Sequence, residues 1–257
     1  MKRLTRPLTA LALLAVALCS RAQDVVVYPV AATVPENLLR IELRFSKPLM
    51  AHLDARAVTL VDERGQLVPD AFLDLALPDA SGSELTILMH PGRVKSGVGA
   101  NLSMGRALHA GESVTLIVAD PAIGAPTRKT WRIVPAQAQV LDPGRWVLRS
   151  PTAGTRDPVI VEPDTTFGLA AESRIAVRAP DGSRLSGHAA LEEGSGAWHF
   201  VPDRPWIEGR YALLTHLDLE DVSGNRSCEP FEGKRSSLGR CDAGTETAFQ
   251  VAAAPTP

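Results

Sequence analysis

The stretch LLRIELRFSKPL, residues 38–49, decides the fold. Leu39, Ile41, Leu43 and Phe45 alternate with Arg40, Glu42, Arg44 and Ser46. A period of two belongs to a strand with one face buried and the other in water. Pro48 has no amide hydrogen to give to a ladder, so it closes the stretch. On this reading Arg40, Glu42 and Arg44 are solvated surface.

Working outward, similar short runs recur. Residues 25–30 (VVVYPV) read as an opening edge strand, followed by strands at 58–61 (VTLV), 71–77 (AFLDLAL), 84–89 (ELTILM), 114–119 (VTLIVA) and 129–134 (KTWRIV). Asp62-Glu63-Arg64-Gly65 between two apolar runs is a hairpin signal. Aromatic residues make up only 5% of the chain, while Gly and Pro number 20 each. Many short strands joined by tight turns fit that composition better than long helices do. Residues 90–110 (HPGRVKSGVGANLSMGRALHA) lack periodicity and read as a long loop.

After a linker at residues 135–143 the order repeats. Pro180-Asp181-Gly182-Ser183 mirrors the first hairpin, with Gly182 lying 117 residues after Gly65. Trp198 to Val201 mirrors Leu85 to Met89, and Gly209 lies 98 residues after Gly111. The fall from 117 to 98 places about 19 extra residues in the first half, and the 90–110 loop is the place for them. A final strand is expected at 247–251, preceded by an insertion at 226–244 that holds Cys228 and Cys241. The fold class expected is all-β, with two tandem β-sandwiches, which the resemblance given below makes Ig-like: a first domain at 23–137 and a second at 138–257.

The N-terminus reads as an export signal. Lys2, Arg3 and Arg6 precede an eleven-residue apolar run at 8–18, too short for the roughly 20 helical residues that span a bilayer. Ser20-Arg21-Ala22 offers small residues for cleavage after Ala22. An alternative makes Cys19 the modified cysteine of a lipoprotein. Either way the protein is exported, periplasmic or extracellular, with no transmembrane segment in the mature chain. In an oxidising compartment Cys228 and Cys241 are expected to pair. Loss of residues 1–22, with four basic and no acidic residues, takes the net charge from −2 to −6. That argues against nucleic acid or anionic lipid as the main partner, and no nucleic acid is expected.

LRIELRFSKPLM followed by VTLVDERGQLVP resembles bacterial Ig-like domains of the SbsA type, found in surface-layer and other exported proteins. AGESVTLIV and EGRYALLTHLDLEDVSGN look like their penultimate strand and its Gly-Asn turn. The resemblance implies a spacer or binding module whose partner is an envelope protein or glycan. The opening is more distantly similar to CopC-like periplasmic copper-resistance proteins, which bind copper through an N-terminal histidine and further His or Met ligands. The expected mature start here, Gln23-Asp24, has no histidine.

Candidate sites follow from residue chemistry. Arg93 and Lys95 among the glycines of the 90–110 loop suit a binding surface. Trp206, in the turn Pro205-Trp206-Ile207, is an exposed aromatic for a sugar on one reading, whereas Trp198 and Phe200 alternate as core. For the alternative copper function, Met50 with His52, Met89 with His90 and Met104 with His109 pair thioether and imidazole. Asp218, Glu220 and Asp221 before Gly224-Asn225 read as turn chemistry rather than a calcium loop. No G-x-S-x-G elbow or H-E-x-x-H helix is present. The reading is therefore a non-catalytic exported module with no cofactor.

Overall fold

The computed structural model describes residues 23–95, 97, 99–232 and 243–253. Among the described residues fifteen strands form four sheets. In the first half these are β1 (Val25–Tyr28), β2 (Thr33–Pro35), β3 (Arg40–Phe45), β4 (Val58–Asp62), β5 (Phe72–Pro78), β6 (Glu84–Met89), β7 (Ser113–Val118) and β8 (Thr127–Val134). The second half holds β9 (Val147–Arg149), β10 (Val159–Glu162), β11 (Ile175–Arg178), β12 (Gly187–Leu191), β13 (Trp198–Pro202), β14 (Gly209–Thr215) and β15 (Thr245–Val251).

The halves share one topology. Sheet order β1-β3-β6-β5 faces β2-β8-β7-β4 in the first, and β9-β10-β13-β12 faces β11-β14-β15 in the second. In the first half the opening segment changes sheets: β1 runs antiparallel to β3, then β2 runs parallel to β8. The second half repeats this, β9 pairing with β10 while Thr152 bridges in parallel to Ala252 after β15. Each half is an Ig-like β-sandwich, with alternate residues of two sheets meeting in one core.

The stretch 38–49 contributes β3, which stops at Phe45, three residues before Pro48. Ile41, Leu43 and Phe45 are buried with Leu60, Ile87, Leu116 and Trp131. Trp198, Phe200, Trp206, Tyr211 and Phe249 belong to the second core, where Trp206 and Tyr211 meet edge to face. Each core also contains a residue from the other half: Val222 lies in the first, and Tyr28 and Val30 lie in the second.

The two hairpin turns have the same device. Asp62 accepts from the Arg64 and Gln66 amides and Asp181 from the Ser183 amide, with Gly65 and Gly182 at φ 76° and 86°. This left-handed geometry suits glycine, which has no Cβ to clash. The extra residues of the first half lie where the spacing put them, at 90–112 between β6 and β7 against 203–208 between β13 and β14.

Three expectations need correction. The 90–110 segment is not simply a loop: it contains short helices α1 (Pro91–Val94) and α2 (Gly99–Met104). His90 caps α1, its Nδ1 accepting from the Gly92 amide, and Pro91 sits at the first helical position, where no amide hydrogen is needed. Strands β2 and β12 are additional, because TVP and GHAAL carry no period-two apolar pattern. The third correction concerns the polar face of β3.

Candidate functional site

Arg40, Glu42 and Arg44 are not free surface. The second half sits on that face of β3. The Glu42 carboxylate accepts from the Leu169 amide at 2.8 Å and lies 3.4 Å from the Arg40 guanidinium. Arg40 also reaches Glu220 at 3.1 Å. Arg44 donates to Glu172 at 2.6 Å, to the Tyr28 hydroxyl at 3.0 Å and to Glu84 at 3.1 Å. Burial, then the neighbouring Glu172 carboxylate, push the Tyr28 phenol far above its ordinary pKa. Gly168 gives the close approach its room, since a Cβ there would stand 2.8 Å from Glu42 Oε2. Each carboxylate is thus met by a cation or an amide, which offsets the cost of taking it out of water.

A second anchor comes from the segment between β14 and β15. Asp221, Ser223 and Asn225 are buried. Asp221 accepts from the Ser223 and Asn225 amides, the Asn225 side chain and the Thr165 hydroxyl, all at 2.8–2.9 Å. Burial pushes its carboxyl up, against the opposing effect of those hydrogen bonds. The turn so shaped gives the Val222 carbonyl to the Leu39 amide and the Ser223 hydroxyl to Asn37. Asn37 and Asn225 both donate to the Gln137 carbonyl, which pins the linker. Asp218 and Glu220 instead pair with Arg174 and Arg226. Turn chemistry thus occupies Asp221, and ion pairs occupy Asp218 and Glu220.

The same segment continues to Phe231, and here the two irregular stretches of the sequence meet. Lys95, which caps α1, places its ammonium 4.6 Å from the centre of the Phe231 ring. Arg93 faces back into its own loop, donating to the Met104 carbonyl at 2.7 Å. Leu102 on α2 stands 81% exposed. Lys95 and Phe231 thus share one surface, from parts of the chain 136 residues apart.

Other expected site residues lie elsewhere. Trp206 is only 2% exposed, ringed by Phe200, Tyr211 and Phe249, and donates to the Asp157 carbonyl at 2.8 Å. Its faces cannot serve as a sugar platform. Met50 is 98% exposed and shares a groove with His52, but that groove is not lined by Met89, His90, Met104 or His109. Met89 is in the first core, His90 caps a helix, Met104 is half-buried and His109 is exposed. Among the described residues no three His, Cys, Asp or Glu side chains gather as a metal site. Cys228 is described, whereas Cys241 lies outside the described residues. Among the described residues no helix is long and apolar enough to cross a membrane.

No family model and no curated protein match the chain. Several solved structures align over most of it at low similarity. A biofilm-associated protein, BSP domain, is 11% identical over 88% of this chain, with a TM-score of 0.28. The chain spans 29% of that structure. Domains 5-6 of the S-layer protein SbsC are 8% identical over 90% of this chain and 97% of their own, with a TM-score of 0.26. A titin Ig tandem is 11% identical over 85% and 89%, with a TM-score of 0.25. At such values the strand order described above, rather than these likenesses, carries the fold assignment.

The junction residues were the ones sequence reasoning missed. Arg44 and Glu172 are 128 residues apart, and neither has a local signature. The Asp-x-Ser-Gly-Asn turn at 221–225 was visible, but only as a turn.

Proposed function

We propose that the chain is an exported, non-catalytic Ig-like module of the cell envelope, whose binding surface is built from α1, α2 and the segment at 226–232. One observation supports this most directly: two long irregular stretches of the sequence converge, Lys95 over Phe231, on the side of a sandwich pair whose relative position is pinned at several points. Loops placed by a rigid scaffold are where binding residues concentrate. The partner on this reading is an envelope protein or glycan that takes an ammonium and exposed apolar side chains together.

We also infer that the chain divides into domains at 137/138, that residues 1–22 are removed on export, and that Cys228 and Cys241 form a bridge stapling the insertion. The experiment is retention of the purified chain on washed envelope fractions. Lys95→Glu with Leu102→Glu should abolish retention while circular dichroism stays that of the wild type. Undiminished retention of the double variant would place the binding surface elsewhere; no retention of the wild type would remove the envelope reading.

A further inference from the structure

The internal repeat makes the contact between the halves a template. In the first half, the outer face of β1 and β3 and the link from β1 to β2 are covered by one end of the second sandwich. That end consists of the segment after β10, the turn between β12 and β13, and the turn after β14. By equivalence of topology, the second half has an outer face of its own, on β9-β10-β13-β12, and the first half has an end of its own. Among the described residues neither is covered, apart from Pro78 and Asp79 on the end and His188 and Ala189 on the face, which line the cleft beside the existing junction.

The equivalence extends to individual bonds. The turn that docks, at 192–197, is closed by the Glu192 amide on the Ala197 carbonyl, and its backbone bonds to Val30 and Ala32. The first half has a turn of the same length at 79–84, closed by the Asp79 amide on the Glu84 carbonyl. The turn after β14 is led by Asp221, which accepts from the amide two residues on, and contains Gly224 at φ 79°. The turn after β7 is led by Asp120, which does the same for Ala122, and contains Gly124 at φ 79°. The free end of the first half thus has the backbone shapes that dock in the second.

The open face has the matching surface. Pairing in the sheet brings Ala190, His199, Ile160 and Arg149 into one row across it, with Val201 and Val147 in the rows beside. Val147 is 55% exposed and Val201 is also exposed. On the free end, exposed Met50 lies over a groove of about 400 Å³ bounded by Leu49, Ala76, Pro78 and Gly82. Polarity is also repeated. In the existing junction carboxylates of the second half meet Arg40, Arg44 and Lys129 of the first; that polarity recurs in Asp79 on the free end, which also caps its own turn, and Arg149 on the open face, which also pairs with Glu162 at 2.6 Å.

We propose that a second copy of this chain docks its first half, by the end carrying Met50 and the 79–84 turn, onto the β9-β10-β13-β12 face. This contact continues the one already made inside the chain. Its two surfaces differ, so it is heterologous and need not close; repeated, it builds a head-to-tail series. The proposal does not depend on the α1–α2 surface, which lies outside both docking surfaces.

Sedimentation velocity over a concentration series of the chain beginning at Gln23 tests it. The expected result is a weight-average mass that keeps rising past that of a dimer. Met50→Asp alters an almost fully exposed side chain, so folding should survive it, and growth should stop at monomer. Val147→Asp with Val201→Asp on the other face should do the same. Mixing the two variants should restore a dimer that grows no further, because each retains the surface the other lacks. A wild type that remains monomeric throughout, a closed dimer indifferent to Met50→Asp, or a mixture that fails to pair would each overturn the proposal.

Discussion

Gly168→Ala tests the contact between the halves at one atom. The new Cβ would stand 2.8 Å from Glu42 Oε2, well inside contact distance, and 3.6 Å from Val222 Cγ1. Glu42 cannot simply swing away: it is buried, and its Oε2 holds the Leu169 amide at 2.8 Å. Displacing it breaks a buried hydrogen bond to a charged group, a loss of about 1.5–3 kcal/mol. Replacing glycine by alanine returns about 0.4–1 kcal/mol by restricting the unfolded chain. The net expected cost is about 1–2 kcal/mol. In a Glu42→Ala background the space is open and the bond already gone, so the same change should be neutral or stabilising by about 0.5 kcal/mol. The two substitutions should therefore couple by about 2 kcal/mol, within the range found for residues in contact. Urea unfolding of the four proteins, followed by circular dichroism and tryptophan fluorescence to check that the transitions coincide, measures this. If Gly168→Ala costs the same in both backgrounds, the Glu42–Leu169 contact is not what seats the second half on β3.

Phe45→Asp should unfold the first sandwich, since an unpaired carboxylate would enter a core cluster at a buried position; native-like dispersion in an NMR spectrum of that variant would show the register of β3 to be wrong. Asp221 has a raised pKa in the folded state, so between its ordinary value of 3.8 and that raised value the folded protein binds more protons than the unfolded one. Stability from this group therefore falls as pH rises through the window, and the gap between wild type and Asp221→Asn should widen in the wild type's favour on acidification from neutrality; a gap that narrows would reverse the assignment. Asp79 acts with opposite sign. Its pKa is lowered to about 2 by hydrogen bonds from Ser81 and from the Glu84 amide, so its contribution is lost as pH falls below 3.8, and Asp79→Asn should flatten that acid limb. Non-reducing mass spectrometry should recover Cys228 joined to Cys241, and reduction should lower stability by roughly 3 kcal/mol on the chain-entropy model; two alkylatable thiols in the native protein would refute the bridge.

The sandwich architecture was legible because it depends on short-range pattern. Alternation marked β3 and β6, and the turns holding Asp62 with Gly65 and Asp181 with Gly182 marked the repeat. Strands whose pairing is set by tertiary context rather than by pattern were not legible: Thr33–Pro35 is three residues long, and Gly187–Leu191 is nearly apolar-small throughout. The site was less legible than the fold. Arg40, Glu42 and Arg44 look like a solvated row, because exposure of a polar face is the default when nothing is known to cover it. Their partners, Glu220, Leu169 and Glu172, are brought there by a second domain-sized body, and no local rule anticipates that. Trp206 failed for the opposite reason. A turn is usually exposed, but this one folds its indole back under Phe249.

The crossing of residues between the cores bears on how the chain matures. A polypeptide leaves the ribosome N-terminus first, and domains generally fold as they emerge. Here Tyr28 and Val30 belong to a core assembled from residues 141 to 251, and Val222 belongs to one otherwise complete by residue 133. The earliest strand must wait for the latest, and the first sandwich stays unsealed along β3 until the turn at 221–225 arrives. Contacts across so much chain are slow to form. During that interval the leucines around β3 and the bare edge of β1 are open to other chains, so the nascent protein is most vulnerable to mispairing when its first half looks nearly finished.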